Sequence, residues 1–412
     1  MFHTADPRDV KDGKITDVYF QRTIEILKAK GVDKRVKAEF IAKNLPDDWG
    51  WAVLAGLEEV ARLLEGIDIN VRAMAEGEIF YPYEPVIEIE GSYLAFGAYE
   101  TAILGLICQA SGIATRAARC RMLAGDRQVI SFGARRMHPV LAPMIERNAY
   151  VGGCDGVSVT KSAELIEAEP IGTMPHALIL VMGDTVKATK AFDEVIDPAV
   201  KRTSLIDTIN DEKFEAVRVA EAMGESLYAV RLDTPGSRRG DFFRIIEEVR
   251  WELDLRGYQR VRIYVSGGIV EEDIIKLNPL VDAYGIGTFI SNAPVVDFAM
   301  DIMEVEGVPF AKRGKHSGSK SVLRCPDCGK DIVVPRTFGS WRCACGGEKS
   351  EILTPFIEGG RLVRELLSAR ELREGVLRRL DLLPPIEEPA KRLRRKVDRH
   401  PDRTSIEGSP VE

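Results

Sequence analysis

Seven short segments between residues 128 and 291 carry the residue types that do chemistry: SFGARR (131–136), DGVSVT (155–160), GTMPHA (172–177), LIDT (205–208), RLDTPG (231–236), YVSGGI (264–269) and YGIGTFIS (284–291). Arg135 and Arg136 stand side by side. Paired guanidinium groups suit bidentate capture of a carboxylate or phosphate, or a surface ion pair. Asp207 and Asp233 suit ribose hydroxyls or Mg²⁺, or the cap of a following helix. Arg231 lies two residues before Asp233, on the same face of a strand. The turns Ser266-Gly267-Gly268 and Gly285-Ile286-Gly287-Thr288 let backbone N–H groups approach a phosphate, or simply turn the chain. His176 is one of only five histidines, and it interrupts an apolar run, IGTMPHALIL, that reads as a buried strand.

These segments need a scaffold that brings their ends together. Each belongs to a short apolar stretch, rich in β-branched residues, and the stretches alternate with helical ones. That rhythm implies a parallel sheet covered by helices on both faces. Seven β/α units predict an irregular or incomplete β/α barrel over 111–295, where chemistry sits at strand ends. Before it, residues 16–30 and 50–65 read as helices, 71–95 alternate like strands, and 99–123 form a long apolar helix. An N-terminal α+β domain is expected over 1–110, completed by part of 295–320. A zinc-knuckle and helical region follows over 321–385, and a mobile tail over 386–412.

The knuckle rests on Cys325, Cys328, Cys343 and Cys345, in CPDCG…WRCACGG. Four thiolates on two short turns fit a tetrahedral structural Zn²⁺, with a rubredoxin-like iron or empty thiols as alternatives. A site filled by four Cys keeps no open position for catalysis. Cys108, Cys120 and Cys154 lie among apolar residues and read as core thiols.

A net charge of −7 argues against a protein that coats nucleic acid, although seven basic residues crowd 391–403. No apolar run approaches the ~20 residues of a membrane span, and the polar N-terminus is no secretory signal. The expected place is the cytoplasm, with no nucleic-acid or membrane partner.

Taken in order, TDVYF (16–20), EG…YEPV (76–86), ETAILGLI (100–107), the strand-end segments and AKRGKHSG (311–318) resemble the nicotinate phosphoribosyltransferases, within the type II phosphoribosyltransferases. The Cys knuckle resembles that of archaeal-type members. The resemblance implies transfer of the phosphoribosyl group of phosphoribosyl pyrophosphate to nicotinate, giving nicotinate mononucleotide and pyrophosphate for NAD biosynthesis. It also implies ATP as co-substrate and Mg²⁺ as cofactor. His176, in the family's Gly-Thr-x-x-His pattern, would accept the γ-phosphoryl group of ATP. Phe132 would stack on the pyridine ring, with Tyr19 of a partner subunit on its other face, so the active site would belong to a homodimer or a higher oligomer of dimers. Arg135 would meet the substrate carboxylate. Ser266, Gly267, Gly268, Gly285, Gly287 and Thr288 would hold the 5′-phosphate, while Asp207, Asp233 and Arg231 would line the ribose. Nicotinamide-using relatives carry an acid at the position aligned with Ser158, so Ser158 fits nicotinate. The alternative is a related enzyme that uses quinolinate or nicotinamide, or that works without ATP.

Overall fold

Alternation in PVIEIEGS builds the first sheet. In the strand Pro85–Ser92, Ile87 and Ile89 turn to one face and Glu88 to the other. This strand lies antiparallel between Arg35–Ala42 and Ile69–Ala73. Ile87, Ile89, Phe40 and Val71 are buried in one core with Leu57, Val60 and Leu64 of the helix Leu57–Leu64. On the opposite face Glu88 stands directly across from Glu39. Like charges so placed repel unless paired. Arg72 reaches Glu88 at 3.1 Å and Lys320 reaches Glu39 at 2.7 Å.

The computed structural model describes residues 2–339 and 341–386, which fall into two units. The first takes Pro294–Leu367 together with the N-terminal part up to Gly112. Its seven-stranded sheet runs Val308–Pro309, Phe298–Val305, Arg35–Ala42, Pro85–Ser92, Ile69–Ala73, Thr354–Glu358, Arg361–Leu362. A smaller four-stranded sheet, which includes Lys320–Arg324 and Glu348–Glu351, carries the Cys turns. Region 321–385 is therefore divided: Ser368–Ile386, with the helix Ala369–Leu380, belongs to the second unit. The tail expected to be mobile lies outside the described residues beyond 386. The helix read over 50–65 covers only Leu57–Leu64, because Gly56 takes φ +93° and starts it late.

One expectation needs correction. Tyr93–Ala124 is long and apolar enough to cross a membrane by length and composition. Its Ile103, Ile107, Ile113, Ala117 and Cys120 are buried in protein cores. Its Arg116 and Arg119 pair with Glu271 at 3.1 and 2.7 Å.

At the start of this stretch, burial pushes the Glu100 carboxyl up to about 7, with Asp301 and Asp17 adding to it and Lys312 opposing. The folded chain thus holds this proton more tightly than the unfolded chain. Glu100 favours folding below its ordinary range near 4.5, and that contribution is lost as pH rises towards 7. Glu100→Gln is expected to flatten the fall in melting temperature between pH 5 and 8. Parallel melting curves for variant and parent across that range would contradict it.

In the second unit six strands are parallel, in the order Gly156–Val157, Gln128–Ser131, Ala283–Ile286, Arg262–Ser266, Ala229–Leu232, Thr203–Leu205. The two outer strands do not pair, so the barrel is incomplete. The buried strand expected in IGTMPHALIL is instead a loop that leads into the helix His176–Met182. Pro175 is its N-cap and Gly183, at φ +78°, its left-handed C-cap. The continuous apolar run suits either element. The bracketing Pro and Gly decide for helix, and Ile179 alone is buried.

Candidate active site

Parallel strands end on one edge, so the residues that follow them share it. His176 opens its short helix and places Nε2 3.1 Å from Asp207 Oδ2. The Asp207 side chain is 1% exposed and that of His176 39%. The Asp207 Oδ1 atom is buried without a hydrogen-bond partner among the described residues, and so are Thr208 Oγ1 and Arg231 Nε. Unpaired buried polar atoms are costly, so three at one edge point to a ligand that pairs them. Burial lowers the Arg231 pKa, Asp233 and Asp207 pull it back, and Arg135 lowers it again. The charges of Asp233, Asp207 and Arg135 therefore all act on Arg231. Arg231 also donates to the Met174 carbonyl at 3.5 Å, which ties it to the segment before His176.

The Ser266 hydroxyl donates to Asp233 Oδ1 at 2.7 Å. Gly267 and Gly268 follow with φ of +86° and +71°. A Cβ on Gly267 would come within 2.9 Å of Asp233 Oδ1, so only glycine lets the loop lie against that carboxylate. At Gly285 a Cβ would sit 2.4 Å from two carbons of the Phe132 ring. The bare strand lets the ring lie against it, half-buried. Gly287 precedes the single turn Thr288–Ser291. Arg135, on the turn Ala134–Arg136, is exposed.

Ser158 meets a residue that sequence reading missed. Fully buried Glu146 accepts the Ser158 N–H at 3.1 Å, its hydroxyl at 2.9 Å and the Val159 N–H at 2.9 Å. Nothing in IERNAYVGG marks Glu146 except an acid on a helix that is otherwise largely buried. Arg239 was missed as well. Its guanidinium donates to the carbonyls of Thr234 (3.1 Å), Ser266 (3.2 Å) and Gly267. The only signal was its place in TPGSRRGD.

Tyr19 belongs to the first unit. It lies on the helix Val18–Ala29, 57% exposed, with its ring 4.2 Å from that of Phe20. The four cysteines are in the first unit too, their sulfurs all within 4.8 Å of one another. Cys325 and Cys345 are 3.5 Å apart and Cys328 and Cys343 3.4 Å. Those separations are too long for disulfides. They approach the ~3.8 Å between sulfurs bonded tetrahedrally to one zinc. The Cys345 N–H and the neighbouring thiols lower the Cys343 thiol to about 6. The set could hold a metal ion such as zinc.

Residues 17–111 match the family model for the N-terminal domain of quinolinate phosphoribosyl transferase, and 113–301 that for its C-terminal domain. The chain is 30% identical over 327 residues to a nicotinate phosphoribosyltransferase of Mycobacterium tuberculosis, covering 76% of this chain and 72% of that one. It superposes on the crystal structure of nicotinate-nucleotide pyrophosphorylase from Pyrococcus furiosus with a TM-score of 0.91 and 55% identity, over 92% of this chain and 98% of that one. Human nicotinic acid phosphoribosyltransferase shares the fold, with a TM-score of 0.70 and 19% identity over 90% and 94%.

Proposed function

The chain belongs to the type II phosphoribosyltransferase family, and we propose on that footing that it is a nicotinate phosphoribosyltransferase of NAD biosynthesis. It joins the nitrogen of nicotinate to C1 of the ribose of phosphoribosyl pyrophosphate as pyrophosphate leaves. The observation that carries this reading is the shared strand edge, where Asp207 holds His176 and the charges of Asp207, Asp233 and Arg135 all act on Arg231.

Positive charge builds on the ribose ring as the bond to pyrophosphate lengthens. The carboxylates of Asp207 and Asp233 stabilise that charge. Their oxygens also suit Mg²⁺, which would neutralise the leaving pyrophosphate. Arg231 lines the ribose beside them. The turns at Ser266, Gly267 and Gly268 and at Gly285, Gly287 and Thr288 receive the 5′-phosphate. Phe132 offers its ring to the pyridine, and the exposed Tyr19 of a partner subunit covers the other face, which makes the working form a dimer. The Ser158 hydroxyl donates its hydrogen bond to Glu146, so the Ser158 oxygen is left as an acceptor. It does not hold the carboxylate of nicotinate, and that task falls to Arg135. Arg135→Ala is expected to raise the KM for nicotinate about tenfold and leave that for phosphoribosyl pyrophosphate within a factor of two. Equal rises in both would remove Arg135 from carboxylate binding.

Asp207 accepts from Nε2–H of His176 and so leaves Nδ1 with its lone pair. That nitrogen attacks the γ-phosphorus of ATP as the bond to departing ADP breaks, and the negative charge so added would suit Mg²⁺ and order the loops. The reaction runs in the cytoplasm.

The family model named for quinolinate favours one other base. Product formation from phosphoribosyl pyrophosphate and Mg²⁺, with nicotinate, nicotinamide or quinolinate and with or without ATP, tests both readings. Turnover confined to nicotinate is expected. Turnover with quinolinate would replace nicotinate as substrate, and none with any base would end the proposal.

A further inference from the structure

Arg239 sits in a one-turn helix, Gly236–Arg239, between the strands Ala229–Leu232 and Arg262–Ser266. From there its side chain crosses to the neighbouring strand end. Nε donates to the Thr234 carbonyl at 3.1 Å, and Nη2 to the carbonyls of Ser266, at 3.2 Å, and Gly267. The guanidinium stands over the Phe242 ring, 4.3 Å from its centroid.

 The backbone of two βα loops is thereby cross-linked through one cation. All three acceptors are neutral carbonyls. Among the described residues Arg239 has no ion-pair partner, and Asp233 stands across Gly267 from it: a Cβ on Gly267 would lie 2.9 Å from Asp233 Oδ1 and 3.1 Å from Arg239 Nη2.

The loop it holds has donors to spare. Gly267 and Gly268 have successive positive φ values, and neither N–H has an acceptor among the described residues. By binding the carbonyls of Ser266 and Gly267, Arg239 fixes which way those two peptide planes face. The N–H groups of Gly267 and Gly268, so fixed, are free to donate to an anion. The Arg239 guanidinium adds positive charge beside these N–H groups, with the Asp233 carboxylate across Gly267 from it.

We propose that Arg239 is the positioning residue of the 5′-phosphate loop: it holds Ser266-Gly267-Gly268 open towards the phosphate, and its charge strengthens phosphate binding. The proposal rests on reading this loop as the phosphate site. It makes Arg239 a determinant of affinity for phosphoribosyl pyrophosphate and not for the pyridine base. Arg238, its exposed neighbour, has no such role.

The test uses the full-length protein, with ribose 5-phosphate as the probe in calorimetry and steady-state kinetics alongside. Arg239→Gln removes the charge and keeps some donors, Arg239→Lys keeps the charge, and Arg238→Ala is the control. The expected result is at least tenfold weaker ribose 5-phosphate binding for Arg239→Gln, with a matching rise in the KM for phosphoribosyl pyrophosphate. The KM for nicotinate should stay within twofold. Arg239→Lys should recover part of the affinity, and Arg238→Ala should match the parent. Parent-like binding by Arg239→Gln would overturn the role of Arg239 and leave the phosphate loop standing. So would equal losses in both Michaelis constants, or a Lys variant no better than Gln, since either would mark a purely structural part. Failure of the parent itself to bind ribose 5-phosphate would overturn the reading of the site along with the proposal.

Discussion

Asp207→Asn is expected to lower kcat by a factor of roughly 100 to 1000, more than any other single change at the strand edge. The argument starts from burial. The Asp207 side chain is 1% exposed, one oxygen is bonded to His176 and the other has no partner among the described residues. A carboxylate in so dry a place acts strongly on whatever charge develops beside it. Asn keeps the shape and the bulk, so the fold should survive. It removes the negative charge that faces the ribose, and it weakens the hold on the His176 ring. His176→Ala separates these two effects. It should abolish stimulation by ATP and leave slow transfer intact, because the ribose-facing carboxylate remains. Turnover of both variants with and without ATP decides the matter. Asp207→Asn turning over within threefold of the parent would defeat the assignment of Asp207. Unchanged ATP stimulation in His176→Ala would defeat that of His176.

The strand-end residues were legible because a parallel sheet sends every strand's last residues to one edge. Once the rhythm of the segments is read, Phe132, Asp207, Asp233 and Ser266 must share that edge whatever the details of the barrel. The helix at His176–Met182 was not read, because a short apolar run fits a strand as well as a helix and the weight lay in Pro175 and Gly183. Glu146 and Arg239 were out of reach for another reason. What makes each matter is a partner 12 or more residues away: Ser158 for the one, Ser266 and Gly267 for the other. Acidic and basic residues on helices and loops are common, and their pairing is decided only by the fold. The same holds for the first sheet, where Phe298–Val305 lies beside Arg35–Ala42. Local pattern identifies a strand but does not say which distant strand it joins.

Cys325→Ser is expected to abolish metal binding and to lower the melting temperature by roughly 5–15 °C. Four sulfurs within 4.8 Å of one another, with two pairs at 3.5 and 3.4 Å, are too close for four independent side chains and too far apart for disulfides. A metal ion held by the four thiolates would account for so close a cluster. Its loss should be felt beyond the turns. Cys325 is fully buried and follows Arg324, which bonds Glu78 at 2.5 Å and Asp331 at 2.6 Å. The strand of Arg324 begins at Lys320, the partner of buried Glu39. Loosening the Cys turns therefore threatens to strip buried carboxylates of their cations, and an uncompensated buried charge costs about 3–5 kcal/mol. The parent, purified without chelator, should carry about one metal ion per chain by elemental analysis, and the variant almost none. Because four thiolates leave a tetrahedral ion no open position, transfer well below the melting temperature should continue in the variant. A parent preparation free of metal would contradict the site. A variant that loses its metal but melts with the parent would show that the cluster does not hold the first unit together.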